Sequence, residues 1–138
     1  MYKNILVAVD GSENNKLAVK AAVGLAKEFG AKLTAIYVEN VGYRLHPNVA
    51  IQEDPLKNAD AVFEFIKSYS AEQGVEVQYK VAIGHPGESI TDLTPDYDLI
   101  VCGTLGRSGL KKAVLGSVSE MITRFSDCPV LLIRSPRA

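Results

Sequence analysis

Two kinds of apolar pattern alternate along the chain. Residues 4–9, NILVAV, are an almost unbroken apolar run rich in β-branched side chains. A run that is apolar on both faces suits a strand buried on both sides of a parallel sheet. Asp10-Gly11-Ser12 ends it. From Glu13 to Phe29 the period becomes helical, with Leu17, Ala18, Ala21, Ala22, Leu25, Ala26 and Phe29 on one stripe. Ser12 is the expected N-cap of this helix, and Gly30 the residue that closes it. Residues 32–38, KLTAIYV, read as a second strand. Residues 39–55 show no period and read as a long loop, of a kind usually tied to function or mobility. A second helical stripe follows over 56–73, carried by Leu56, Ala59, Val62, Phe63, Ile66 and Tyr69, and Gly74 ends it. Residues 75–83 alternate at first, as an edge strand does. His85-Pro86-Gly87 reads as a turn, 88–93 as a short helix and 98–102 as a buried strand. A Gly-rich loop spans 103–116, a helix with Val118, Met121, Ile122 and Phe125 on one face spans 117–125, and 129–133 is the last strand.

Strict alternation of strand and helix implies one α/β domain over residues 1–138, a parallel sheet with helices on both faces. No repeat, linker or low-complexity tract divides it. Five-stranded sheets of this kind commonly take the order 3-2-1-4-5 or 2-1-3-4-5, and bind ligands at the carboxyl ends of the strands where the winding reverses. The first order sets strand 1 beside strand 4. Asp10 and the loop from Gly103 to Gly109 would then flank one crevice.

Charge narrows the partners. Fifteen Lys and Arg against 16 Asp and Glu give a net charge of −1, so nothing draws the whole chain to nucleic acid or an anionic membrane. No apolar run nears the roughly 20 residues of a membrane span. The acid at Asp10 directly after a short apolar run argues against a secretory signal. The two cysteines, Cys102 and Cys128, suggest no disulfide framework, and a cytoplasmic location is expected.

The loop before the fourth helix favours phosphate. Gly103, Gly106, Gly109 and Gly116 allow close approach to backbone N–H groups. Ser117 opens a helix whose first amides and dipole attract anions. Arg107, Lys111 and Lys112 add positive charge, and no acid lies between Gly103 and Ser119. Asp10 across the crevice could accept from ribose hydroxyls or hold a divalent ion. A structural alternative stays open: Ser117-Val118-Ser119-Glu120 also fits a capping box. Neither a GxxxxGK[ST] loop nor a GxGxxG turn occurs, and no GxSxG elbow. His46 and His85 lack partners at metal-ligand spacing. Tyr43, Arg44 and His46 read as members of a solvated loop. Cys102 reads as an inert buried thiol, Cys128 as a more exposed one.

The spacing Gly103-x2-Gly106-x9-Gly116-Ser117 resembles the ATP-binding signature G-x2-G-x9-G-[ST] of the universal stress protein family. The opening ILVAVDGSE and the stretch GTLGRSGLKKAVLGSVSE are similar to that family as well, so that the likeness spans the chain. It implies a Rossmann-like three-layer α/β/α domain with a five-stranded parallel sheet of order 3-2-1-4-5. It also implies ATP bound with Mg²⁺ or Mn²⁺. On this likeness Ala8 and Val9 line the base side, Asp10 serves the ribose and metal, and the Val38 backbone meets adenine. Gly103, Gly106, Gly116, Ser117, Val118 and Ser119 form the ribose and phosphate cradle, with Arg107 beside it. A homodimer through Pro129–Ile133 is implied too. The chain departs from many members in carrying Leu105 where they have His, and in a short third helix interrupted by Pro95. Two other functions fit the same residues. One is a dimeric scaffold with an empty or AMP-binding site. The other is a slow ATPase or phosphotransferase, for which no poised base is visible.

Overall fold

The computed structural model describes residues 1–40, 55–104 and 115–134, with side chains from residue 58 onward in the second segment. The elements are β1 (Asn4–Ala8), α1 (Lys16–Phe29), β2 (Lys32–Glu39), α2 (Pro55–Gln73), β3 (Val77–Ile83), α3 (Pro86–Thr91), a 3₁₀ turn (Thr94–Asp96), β4 (Leu99–Gly103), α4 (Ser117–Phe125) and β5 (Val130–Ile133). The five strands are parallel in the order β3-β2-β1-β4-β5. The winding therefore reverses at β1, which lies between β2 and β4 in registers such as Val7↔Ala35 and Val7↔Val101.

Alternating side chains of the central strands fill two cores, which is why their sequences read as continuous apolar runs. Ile5, Val7, Leu33, Ala35, Tyr37, Leu99 and Val101 pack beneath α1 and α2. Leu6, Ile36, Val38, Ile100 and Cys102 face the other way, against Ile90 of α3 and Ile122 of α4. Those two helices pack closely: a Cβ built on Gly87 would stand 2.5 Å from Met121 Sδ.

Several local expectations are corrected. Ser12 does not cap α1; the helix begins three residues later, behind Asn15. The Asp10 carboxylate takes the Ser12 amide at 2.8 Å, forming a tight turn that delays the helix. The buried stripe is Ala18, Val19, Ala22, Val23 and Ala26, while Leu17 and Phe29 are 38% and 40% exposed. Small residues facing the sheet bring α1 near β1 and β4 and leave the larger ones on its shoulder. His85 is more than a turn residue, since its side chain accepts from the Glu88 amide and caps α3. On α4 the buried apolar residue is Ile122, and Phe125 is 63% exposed. Cys128 is buried rather than exposed, its carbonyl taking the Ser126 hydroxyl at 2.7 Å.

Cys102 is buried in β4 as read. Burial pushes its thiol from 9.0 up to about 12. The unfolded chain then loses this proton near its ordinary range while the folded protein keeps it, so stability falls as pH rises from about 9 toward 12. Urea unfolding at pH 8 and pH 10.5 should show that loss, and Cys102→Ala should reduce it. A thiol reagent at pH 8 should leave Cys102 unmodified until the protein unfolds.

Candidate functional site

The carboxyl ends of β1, β2 and β4 build one surface. β1 stops at Ala8, and the Val9 amide makes one more bond, to the Ile36 carbonyl at 2.9 Å. Asp10 follows, half-buried. Its carboxylate is held by the Ser12 amide, and its own amide donates to Asn15 Oδ1 at 3.2 Å. Gly11 takes a φ of 79°, and a Cβ there would meet Val62 of α2 at 3.3 Å, so glycine lets this turn pass beneath the helix.

On β2, residues two apart send their main-chain groups toward the same neighbour. Ile36 faces β1, taking the Val9 amide, while Glu39 faces β3, taking the Gly84 amide at 3.0 Å. Val38 therefore turns its N–H and C=O toward β1, level with the space beyond Ala8.

At the end of β4 the returning chain is stitched on tightly. The Gly116 amide donates to the Thr104 carbonyl at 2.9 Å, the Thr104 amide to Ile133 at 3.1 Å, and the Ser119 hydroxyl to the Gly103 carbonyl at 2.5 Å. These bonds set the start of α4 at the carboxyl end of β4. Pairing of Val7 with Val101, carried two residues on, sets Val9 level with Gly103. Ala8, Val9, Asp10, Val38, Gly103, Gly116, Ser117, Val118 and Ser119 thus come to one end of the sheet, while Gly106 and Arg107 lie outside the described residues.

Gly116, with φ −61° and ψ 156°, is the N-cap of α4, and among the described residues no side chain caps the helix. The capping box does not form. Ser117 is already the first helical residue and exposed, and Glu120 pairs with Arg124 at 3.0 Å one turn ahead. The amides of Ser117, Val118 and Ser119 have no helical acceptor. Ser117→Ala should therefore leave the melting temperature of the ligand-free protein within about 2 °C of the original, where loss of a capping serine would cost about 1 kcal/mol. A drop of 5 °C or more would restore the cap.

Sequence reasoning missed two buried polar groups. Asn15, 5% exposed, ties the exit of β1 together. Glu39, read as the first loop residue, is the buried last residue of β2, and its carboxylate takes the Tyr37 hydroxyl and the Asn58 side-chain amide. Nothing in the local pattern signals either. Among the described residues no three His, Cys, Asp or Glu side chains gather to hold a metal. Asp10 alone suits an ion that takes its other ligands from phosphates and water. A cleft of about 400 Å³ also opens between α1 and α2, lined by Val9, Ser12, Phe65 and Ser68 among others.

The sequence profile described as the universal stress protein family matches residues 1–134. The chain belongs to that family. Universal stress protein YxiE of Bacillus subtilis is 36% identical, over 97% of this chain and all of its own length. Universal stress protein MJ0531 of Methanocaldococcus jannaschii is 33% identical, over 99% of this chain and 85% of its own. Among solved structures, hypothetical protein MJ0577 is similar with a TM-score of 0.76 and 30% identity, over 100% of this chain and 99% of its own. Two more share the fold at lower identity. A universal stress protein in complex with cAMP has a TM-score of 0.75 at 21% identity, with 98% and 99% of the two chains covered. One from Archaeoglobus fulgidus in complex with dAMP has 0.73 at 20%, with 96% and 98% covered. The chain, with its five-stranded sheet of order 3-2-1-4-5, thus shares its overall fold with these solved proteins. No described helix is long and apolar enough to cross a membrane.

Proposed function

We propose that this family member is a cytoplasmic regulatory protein that binds ATP, with Mg²⁺ or Mn²⁺, at the carboxyl ends of β1 and β4. The observation that carries the reading is the start of α4, without a side-chain cap among the described residues, fastened to the end of β4, the strand beside β1. Its first three amides and the positive end of the helix dipole attract phosphate. Gly116 leaves the backbone open to a close approach, and Gly106 and Arg107 complete the cradle. Ala8 and Val9 line the base side. The Val38 main chain, turned toward the space past Ala8, offers a donor and an acceptor to the edge of adenine. Asp10 serves the ribose hydroxyls and the metal. Ser119 keeps its hydroxyl on Gly103 and so holds the first turn of α4 in place, offering its amide to the ligand. The cAMP and dAMP held by two proteins of this fold support adenine as the base.

Occupancy, rather than turnover, is the proposed output: binding changes the state or partner of a dimer formed through β5. That strand ends the sheet, and its four side chains are only half-buried, an edge on which a second copy could pair. Sedimentation should give a dimer; a monomer at every concentration would remove that part of the reading.

Thermal melts test the ligand. ATP with Mg²⁺ at 100 times its Kd should stabilise the protein by about 2.7 kcal/mol. No stabilisation by ATP, with or without the metal, would overturn the proposal. Stabilisation by AMP and not ATP would favour the AMP-binding scaffold.

A further inference from the structure

Asn15 stands immediately before α1, where an amide side chain ordinarily caps the helix, yet it makes no cap bond. Its side chain turns back to the strand. Nδ2 donates to the Ala8 carbonyl at 2.9 Å, and Oδ1 accepts from the Asp10 amide at 3.2 Å. One buried amide thus brackets Val9 and fixes the main chain on both sides of it. Asn15 is itself anchored, its amide donating to the Ser12 carbonyl at 3.2 Å and its carbonyl accepting from Val19 at 3.1 Å. Asp10 is held from two directions. Asn15 fixes its backbone, and the Ser12 amide fixes Oδ1 at 2.8 Å. Both bonds limit how the carboxylate can stand.

We infer that Asn15 is a positioning residue that aims the Asp10 carboxylate, and through it sets the preference of the site for a nucleotide with intact ribose hydroxyls. The inference rests on the nucleotide reading above. Serine at this position is too short to span from Ala8 to Asp10. Aspartate matches the size and keeps the acceptor for the Asp10 amide, but replaces the donor to Ala8 with a second acceptor.

Titration calorimetry without divalent metal, so that Asp10 acts on the ribose alone, with ATP and with 2′,3′-dideoxy-ATP separates this role from a merely structural one. The unaltered protein should bind ATP more tightly. Asn15→Ala should lower ATP affinity about tenfold, the lower end of what losing a partner that orients a ligating group costs, and dideoxy-ATP affinity less than about twofold. Asn15→Ser, too short to bridge but a favourable N-cap and so a safeguard if the alanine variant fails to fold, should show the same narrowing of the ratio. Variants that keep the original ratio, or weaken both nucleotides equally, would overturn the inference while leaving nucleotide binding intact. An unaltered protein that binds both equally would overturn it too. Binding of neither by the unaltered protein would overturn the nucleotide reading itself.

Discussion

Replacing Gly116 by valine is expected to abolish ATP binding and leave the fold in place. Gly116 has φ −61° and ψ 156°, a conformation that β-branched residues adopt without strain. Valine is a poor N-cap, so a cost of about 1 kcal/mol in stability is expected. On this reading its branched side chain would crowd a phosphate seated on the amides of Ser117 and Val118. A phosphate kept off two of these amides loses charge-assisted hydrogen bonds of about 1.5–3 kcal/mol each, which lowers affinity by roughly 100-fold or more. Circular dichroism and calorimetry on the same sample decide it. A folded Gly116→Val protein that binds ATP like the original would mean that the phosphates lie elsewhere.

The second large effect is on stability. Ile100 is fully buried in β4, paired with Leu6 of β1 and Val130 of β5, and packed in the core that includes Ile122 of α4. Ile100→Ala should cost about 3–4 kcal/mol from lost transfer energy and the cavity left behind, lowering the melting temperature by roughly 10–15 °C. Phe125→Ala is the control. Although larger, Phe125 is 63% exposed, so its removal should change stability by less than about 0.5 kcal/mol. Equal losses for the two would mean that the core has been misassigned.

That contrast also shows how far the sequence could be read. The apolar runs at 4–9, 32–38 and 98–102 announced buried strands because both faces of the sheet are covered, and a doubly buried strand needs no polar positions. Alternation left two strand orders open, and the likeness to the family pointed to the one found, 3-2-1-4-5. Helix faces were less legible. Phe125 and Leu17 fit the helical period, but periodicity ranks residues by hydrophobicity and takes no account of how closely a helix can approach the sheet. Small Ala and Val residues took the buried face of α1 instead. Caps were the weakest reading. Ser12 and Ser117 have the right chemistry, but the Asp10 turn postponed α1, and the Gly116–Thr104 bond accompanies an N-cap at Gly116. Such long-range ties leave no trace in a local window. Asp10 was legible as an isolated acid after a strand; Asn15, which holds it, was one polar residue among several in ENN.

The central claim is that the first amides of α4 grip the phosphates of ATP. An amide-resolved nitrogen–proton NMR spectrum of the labelled protein, titrated with ATP and Mg²⁺, reads those groups directly. The largest shifts are expected at Gly116, Ser117, Val118 and Ser119, with Asp10 and Val38 moving in parallel and the exposed end of α2 still. Shifts confined to Phe65 and Ser68 in the cleft between α1 and α2, or no shifts at millimolar nucleotide, would contradict it.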